Sequence, residues 1–490
     1  MANTNDSDEQ VKPLHGIVPK LYTLSTIDQY VPKRWITRMM YFEISDDVSK
    51  QEIFSSLKTS LSYIVTMYPQ LTGKMCRQPD KPHWVAVQTE EDGFVRFTLK
   101  DHTSPSVDEP RLPPYTRLKE LGFPMQGLVT IACPDIMHLE VAEGSPIFAV
   151  QANFVHGGLL LTTVLNHILV DGGWWTELFK LWSSFCKELP AAPTQLDEHP
   201  MDIVERLSTG ETKGKSPDVR NWVVGEAAKS TFFVPKVGTP ASSIIHPKKL
   251  SSNGDEVKAP VGSSLRIWTI TAAKQKELKE AAKAWSTMDA IFACLWNRNA
   301  VHKNLNGRGL ETVYARMPID MRSRLTPPVD SSYMGNTVAM LVTEARTAKL
   351  QGSLSDSLPS TAQKLRDAIK AYTQEDFAVF IGTANSLPVD KALVQPFPSI
   401  FDPCILLNDH SKMGIHTFDW GEKLGKVERL RDPMDDVPVR NLSVCQVMPR
   451  LSNDNLEIIT LFDHEVNDAL QHDEEFLHYF QHFSDAQLWI

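Results

Sequence analysis

Apolar and polar positions change period several times along this chain, and each change marks an element. Residues 35–44 and 147–155 are apolar-rich runs of strand length. A third run at 159–166 follows His156-Gly157-Gly158, whose turn chemistry predicts a hairpin. Beyond His167 the period lengthens: Trp175, Leu178, Phe179, Trp182 and Phe185 recur at helical spacing. The stretch 159–185 therefore reads as strand, short irregular segment, amphipathic helix. Upstream, Ile53, Leu57, Leu61, Ile64 and Tyr68 mark one helical face that stops at Pro69. Leu24-Ser-Thr-Ile-Asp-Gln29 reads as a Ser/Thr-rich turn leading into the strand at 35–44.

From 189 to 262 prolines, glycines, serines and lysines are frequent and periodicity is short-lived. This predicts an N-terminal domain at 1–195, a crossover at 196–262 and a C-terminal domain at 263–490. A wholly structureless segment of that length is unusual, so short helices are expected inside it, for example at 202–207. Periodicity returns in a strand at 264–270 and a charged helix at 272–283. Ser286-Thr-Met-Asp289 is a capping-box start for a helix running through Ile291, Leu295 and Trp296. A hairpin, 442–448 with 456–462, precedes a helix from Asp463. On a later helix Phe476, Phe480 and Phe483 define the core face, with His478 and His482 beside it on the surface.

Composition narrows the class. The chain has 490 residues, 42% hydrophobic and 22% charged, with a formal net charge of −10. That describes a globular protein, and the acidic balance argues against a nucleic-acid footprint. Six scattered cysteines without a Cys-x-x-Cys pair read as reduced thiols of a cytoplasmic protein. The polar residues 1–10 are not a secretory signal, and no run of about 18 apolar residues provides a membrane span. There is no Gly-x-Ser-x-Gly elbow, Walker loop or Gly-x-Gly-x-x-Gly run, and His478 with His482 lacks a third ligand for a metal.

The candidate chemistry sits where strand gives way to helix. His167 falls at the rim of a strand, where rigid structure holds it and a loop gives access. An imidazole with a pKa near ~6.5 is neutral at pH 7 and can take a proton from an alcohol. Asp171 either orients that ring or turns away and holds the turn through an Arg partner. A satisfied strand-end histidine with a capping aspartate is the bland alternative.

His167-Ile-Leu-Val-Asp171-Gly172 resembles the His-x-x-x-Asp-Gly motif of the BAHD acyltransferases, especially their fungal, trichothecene 3-O-acetyltransferase-like branch. Leu24-Ser-Thr-Ile-Asp-Gln29 and Tyr68-Pro-Gln-Leu-Thr-Gly73 resemble its opening segments. Ser286-Thr287 with Trp296-Asn-Arg298 is similar to its Ser-Thr…Trp-Arg helix. Asp320-Met-Arg322-Ser-Arg324 with Tyr333-Met-Gly335-Asn336 resembles its Asp-x-Arg-x-Arg…Tyr-x-Gly-Asn block. In a third block Phe418, Trp420, Gly421, Gly425, Lys426 and Glu428 agree. Thr417 and Asp419 depart from the Asp-Phe-Gly-Trp-Gly pattern, and Leu407-Asn408-Asp409 stands where relatives have a Ser-Trp pair linked to oxyanion stabilisation.

The resemblance implies an α/β fold: two chloramphenicol-acetyltransferase-like domains with mixed sheets, joined by a long crossover, with an active-site tunnel between them. It implies an O-acyltransferase moving an acyl group, foremost acetyl, from acyl-CoA to the hydroxyl of a terpenoid or polyketide alcohol. His167 would be the general base, Asp171 a structural residue paired with Arg322, and Gly172 part of that turn. Lys283, Ser286 and Thr287 would meet coenzyme A at a helix N-terminus, which favours anionic groups. Acetyl-CoA would be a co-substrate, with no permanently bound cofactor, metal, nucleic acid or membrane partner, and the protein a monomer. Two rivals remain: a peptide-synthetase condensation-like enzyme, against which Asn166 replaces the usual preceding His, and a non-catalytic binding protein on the same fold.

Overall fold

A computed structural model describes residues 6–103, 111–191, 223–226, 262–388, 391–394, 404–433 and 442–486. The short helix expected at 202–207, and all of the crossover except 223–226 and 262, lie outside the described residues.

Two mixed sheets organise the chain. The first runs Ser7–Val11, Val95–Asp101, Phe148–Val155, Gly158–Asn166, Trp35–Glu43, Arg429–Arg431. Only Val95–Asp101 with Phe148–Val155 is a parallel pair in it. The second runs Val338–Arg346, Thr312–Asp320, Cys404–Asp409, Leu442–Val447, Leu456–Asp463, Ser263–Ile270, Gln481–Ser484. Cys404–Asp409 is parallel to both of its neighbours. This is the two-domain α/β fold with mixed sheets that the resemblance implied.

The expected hairpin is present, with Gly157 at its tip in the left-handed region at φ 77°. Both of its strands are buried at every residue because the sheet is covered on two sides. On one face pack the helices Lys50–Met67 and Gly172–Lys187, stitched together where Trp182 Nε1 donates to Leu57 O (3.1 Å) and Ser60 Oγ (3.0 Å). Tyr115, Leu118 and Phe123 close the other face over Met39, Tyr41 and Leu160. In the second half the helix Thr287–His302 is buried nearly all round, so its sequence carries little amphipathic signal. Its polar members are partnered instead: Asn299 Nδ2 donates to Ser443 Oγ at 3.0 Å, and Arg298 Nη1 to Glu475 Oε2 at 2.7 Å.

Three local expectations are corrected. Thr26–Gln29, within the stretch expected as a Ser/Thr-rich turn, is a short buried helix, with Ser25 and Asp28 forming a capping box. The helix expected to carry both His478 and His482 ends at Leu477, and His482 lies on Gln481–Ser484, an edge strand on Ser263–Ile270. Phe476 and Phe480 are buried as expected, but that change of period leaves Phe483 exposed.

The halves also exchange a strand. Arg429–Arg431 belongs to the C-terminal half by sequence but pairs with Trp35–Glu43 in the first sheet. Arg431 is fully buried and reaches back to Glu457 of the second sheet, Nη1 to Oε2 at 2.6 Å, while Arg429 Nε meets the other oxygen at 3.0 Å. The Arg431 guanidinium also donates to Phe123 O (2.9 Å) and Gly122 O (3.2 Å), tying a third element to the junction. Replacing Glu457 by Ala strands a buried guanidinium, so the protein should lose about 3–5 kcal/mol in urea unfolding. A loss comparable to that of an exposed ion pair would mean that the junction does not depend on this contact.

Candidate active site

His167 is fixed through its backbone from both halves of the chain. Its N–H donates to Arg34 O at 3.0 Å, and its carbonyl accepts from Asn336 Nδ2 at 3.0 Å. Asn336 is itself held by Asp28, whose Oδ1 accepts from both the Asn336 amide N–H and Nδ2 at 2.8 Å. The two Asp28 oxygens are shared between halves, Oδ2 taking the Ser25 N–H at 2.9 Å. Two motifs far apart in sequence, at 24–29 and 333–336, thus meet on the histidine's peptide.

The ring orientation follows from one contact. His167 Nδ1 lies 2.9 Å from Val170 O, and a carbonyl can only accept. Nδ1 therefore carries the hydrogen and Nε2 the lone pair. Nε2 has no hydrogen-bond partner among the described residues. Burial, reinforced by the Arg34 charge, lowers the imidazole pKa to about 4, so the ring is neutral at pH 7.

Asp171 turns away from the imidazole. Its Oδ1 caps the Gly172–Lys187 helix by accepting from Trp174 N at 3.0 Å. Oδ2 accepts from Arg322 Nη1 at 2.8 Å and from Thr337 N at 2.9 Å. Arg322 spends its other nitrogen on Gly335 O (2.9 Å) and Tyr333 O (3.2 Å). Burial works to raise the Asp171 pKa, but Arg322 outweighs it and the carboxyl is held below its usual range. A Cβ on Gly173 would stand 2.8 Å from Arg322 Nη1, so the guanidinium's approach requires glycine there. The equivalent atom on Gly172 would meet only the flexible end of Met413 at 2.7 Å.

Lys283, Ser286 and Thr287 lie on a different part of the surface chemistry. Lys283 is exposed and takes φ 46° as the left-handed residue ending the Ala272–Ala281 helix, with Lys283 N to Glu280 O at 3.0 Å and Ala284 N to Lys279 O at 3.1 Å. The Ser286 hydroxyl is already engaged, accepting from Asp289 N (3.1 Å) and Arg366 Nη2 (2.9 Å). Asp289 closes the capping box and pairs with Arg366 at 2.6 Å. This helix start is therefore partly neutralised from within. Beside it Trp285 is 73% exposed, with Lys370 Nζ 5.3 Å from its ring centre. No group of three or more potential metal ligands occurs among the described residues.

Sequence reasoning missed a charged cluster on the strand Trp35–Glu43. Arg38 stacks over Trp175 at 4.7 Å, ion-pairs with Asp432 and reaches His410 Nδ1 at 3.5 Å. Arg34 lies four residues earlier, in the bend just before that strand. Positions 407–410 carry no Ser-Trp pair, but they deliver His410 to this cluster. Its one sequence signal was two arginines at even spacing entering an otherwise apolar strand. The third block is structural: Trp420 packs edge-on to Phe42 (5.5 Å) and against Trp182 (5.6 Å), buttressing the helix that Asp171 caps.

Asp171→Asn leaves a neutral amide opposite the buried Arg322 and Asp171→Ala leaves nothing there, so in both only Asp320, 3.4 Å from Nη1, still carries a counter-charge. The expected cost is about 3–5 kcal/mol for the alanine and less for the asparagine, measured by urea unfolding at pH 7. Because the folded pKa is depressed, the contribution is present above the ordinary carboxylate range and fades as pH falls through the folded value. Wild-type stability of Asp171→Ala would show that the pair is dispensable.

Comparison with known proteins bears on the family and the fold. The Transferase family model matches residues 3–423. Acyltransferase clz6 of Cochliobolus lunatus is 27% identical, the match covering 96% of this chain and 97% of that protein. Trichothecene 3-O-acetyltransferase TRI101 of Fusarium sporotrichioides is 23% identical over 90% of this chain and 92% of its own. The crystal structure of F. graminearum TRI101 complexed with ethyl coenzyme A superposes with a TM-score of 0.75 at 20% identity, covering 95% of this chain and all of that one. The chain belongs to the Transferase family and is an acyl-CoA-dependent O-acyltransferase of the BAHD type.

Proposed function

We propose that this O-acyltransferase moves an acetyl group from acetyl-CoA to a hydroxyl of a small secondary metabolite, with His167 as general base in a ternary complex. The observation that carries the role of His167 is its tautomer: Nδ1–H is committed to Val170 O, leaving the Nε2 lone pair without a partner among the described residues. His167 Nε2 takes the proton of the acceptor hydroxyl as the oxygen attacks the thioester carbonyl. The tetrahedral oxyanion collapses, the C–S bond breaks, and the imidazolium returns the proton to the departing thiolate. Aligning two bound reactants supplies much of the acceleration, and no covalent enzyme intermediate is needed. Asp171 and Arg322 hold the loop that presents the ring and take no proton.

For the coenzyme we propose the surface around Lys283 and Thr287, reached through a tunnel between the two domains whose other mouth admits the alcohol. Its support is a cationic, aromatic exposed surface at a helix start. We also propose that the protein acts as a cytoplasmic monomer without nucleic-acid or membrane partners. Six free cysteines fit a reducing compartment, and among the described residues no helix is long and apolar enough to cross a membrane.

Incubation with acetyl-CoA and a panel of hydroxylated terpenoids and polyketides tests this function: alcohol-dependent thiol release is expected. Tight ligand binding with no turnover would instead favour a non-catalytic binder. His167→Ala should keep the fold and lower turnover by roughly 10²–10⁴. In the wild type, kcat/KM should stay level through pH 6 and decline only as pH falls towards about 4, where the imidazole becomes charged. A decline centred near the free-imidazole value would contradict the buried setting of the base. Lys283→Ala should raise the KM for acetyl-CoA several-fold without moving that for the alcohol, a screened charge contact. Ser286→Ala, a lost cap, should cost about 1 kcal/mol of stability and leave both KM values unchanged.

A further inference from the structure

Two unfavourable groups are buried against the peptide of His167. The first is Asp28, which is 2% exposed and forms no ion pair among the described residues. Its carboxylate accepts from four donors instead: Asn336 N and Nδ2 at 2.8 Å each, Ser25 N at 2.9 Å and Ser25 Oγ at 2.7 Å. Lys33 gives its Nζ not to this carboxylate but to the main-chain carbonyls of Asp28 (2.7 Å) and Gln29 (3.0 Å). The second is the fully buried Asn336, whose Oδ1 has no hydrogen-bond partner among the described residues.

Turning the amide over would not help. Nδ2 has two hydrogens, one for Asp28 Oδ1 and one for His167 O at 3.0 Å, and both partners can only accept. A flipped Asn336 would set its own oxygen against them. The unpartnered acceptor is therefore the consequence of using both N–H bonds of the amide. A buried carboxylate without a cation and a buried acceptor without a donor each work against folding, and apolar residues of similar volume would avoid both. What the arrangement secures is one carbonyl, that of His167. With the His167 N–H held by Arg34 O at 3.0 Å, the residue is gripped at both of its backbone polar groups.

Resting on the general-base reading of His167 above, we propose that Asp28 and Asn336 are positioning residues for acyl transfer. Asp28 aims the Asn336 amide, and the amide fixes the His167 carbonyl and hence the place where Nε2 meets the acceptor hydroxyl. Neither residue touches a reactant. A misplacement of about 1 Å costs about 10²-fold in rate, because proton transfer needs hydrogen-bond geometry. The relay therefore acts on kcat rather than on binding.

The test measures kcat, both KM values and urea stability for Asn336→Ala, Asp28→Ala and Asp28→Asn, with acetyl-CoA and an alcohol that the wild type acylates. Asn336→Ala and Asp28→Ala should lower kcat about 10- to 100-fold while both KM values stay within about twofold. Asp28→Asn, which keeps an acceptor for the Asn336 amide, should retain more of kcat than Asp28→Ala. The same substitutions are then made in His167→Ala. Residues that act through the imidazole have nothing left to place there, so the residual rate should not fall further, whereas a merely structural role lowers it by the same factor in both backgrounds. Equal factors in the two backgrounds, or a folded Asn336→Ala with near wild-type kcat, overturn the relay and leave the general base standing. If the Asp28 variants do not fold, Asn336→Ala decides, because it leaves the carboxylate its other three donors. Should the wild type acylate no alcohol, or His167→Ala turn over like the wild type, the base reading itself fails and the relay falls with it.

Discussion

The buried pair of Asp171 and Arg322 is the constraint on which the site rests. A single carboxylate caps the helix that follows the histidine loop, neutralises a guanidinium from the other half and accepts a backbone N–H from Thr337. Neither charge has water to fall back on, so each is stable only where the other holds it. Arg322 in turn gathers the carbonyls of Tyr333 and Gly335, which sets Asn336 against the His167 peptide. The His167 ring is thereby placed by a network that never touches its nitrogens.

That separation of roles has a chemical consequence. A carboxylate hydrogen-bonded to the imidazole would raise its basicity; here a backbone carbonyl fixes the tautomer while burial and Arg34 push the pKa down. The free protein thus keeps a neutral, accurately oriented but weak base.

The two halves are joined by more than this network. Arg429–Arg431 leaves the C-terminal half to complete the first sheet, and Glu457 of the second sheet holds both of its arginines. A strand lent to the other half's sheet, with its arginines still ion-paired to its own half, makes relative sliding of the halves expensive. The same device brings Asp432 to Arg38, so the junction that supports the fold also neutralises a buried arginine of the first sheet.

Much of this was legible in the sequence because it is local. The hairpin, the helix after Asp171 and the Ser286 capping box are written in period, turn residues and caps, which act over a few positions. Motif resemblance added what locality cannot, pairing Asp171 with Arg322 across the chain. The helix assigned to His478 and His482 was misread because a short aromatic run fits two periods, and pairing with Ser263–Ile270 decides for strand. The exchange of Arg429–Arg431 and the pairing of Arg38 with Asp432 were invisible for another reason. Whether an arginine is matched depends on which carboxylates the fold brings within reach, and in this chain Asp432 and Glu457 reach theirs only through tertiary packing. Sequence by itself determined the elements, the histidine and its family; the tertiary structure alone decided which buried charges cancel, because the partners come together only in the folded chain.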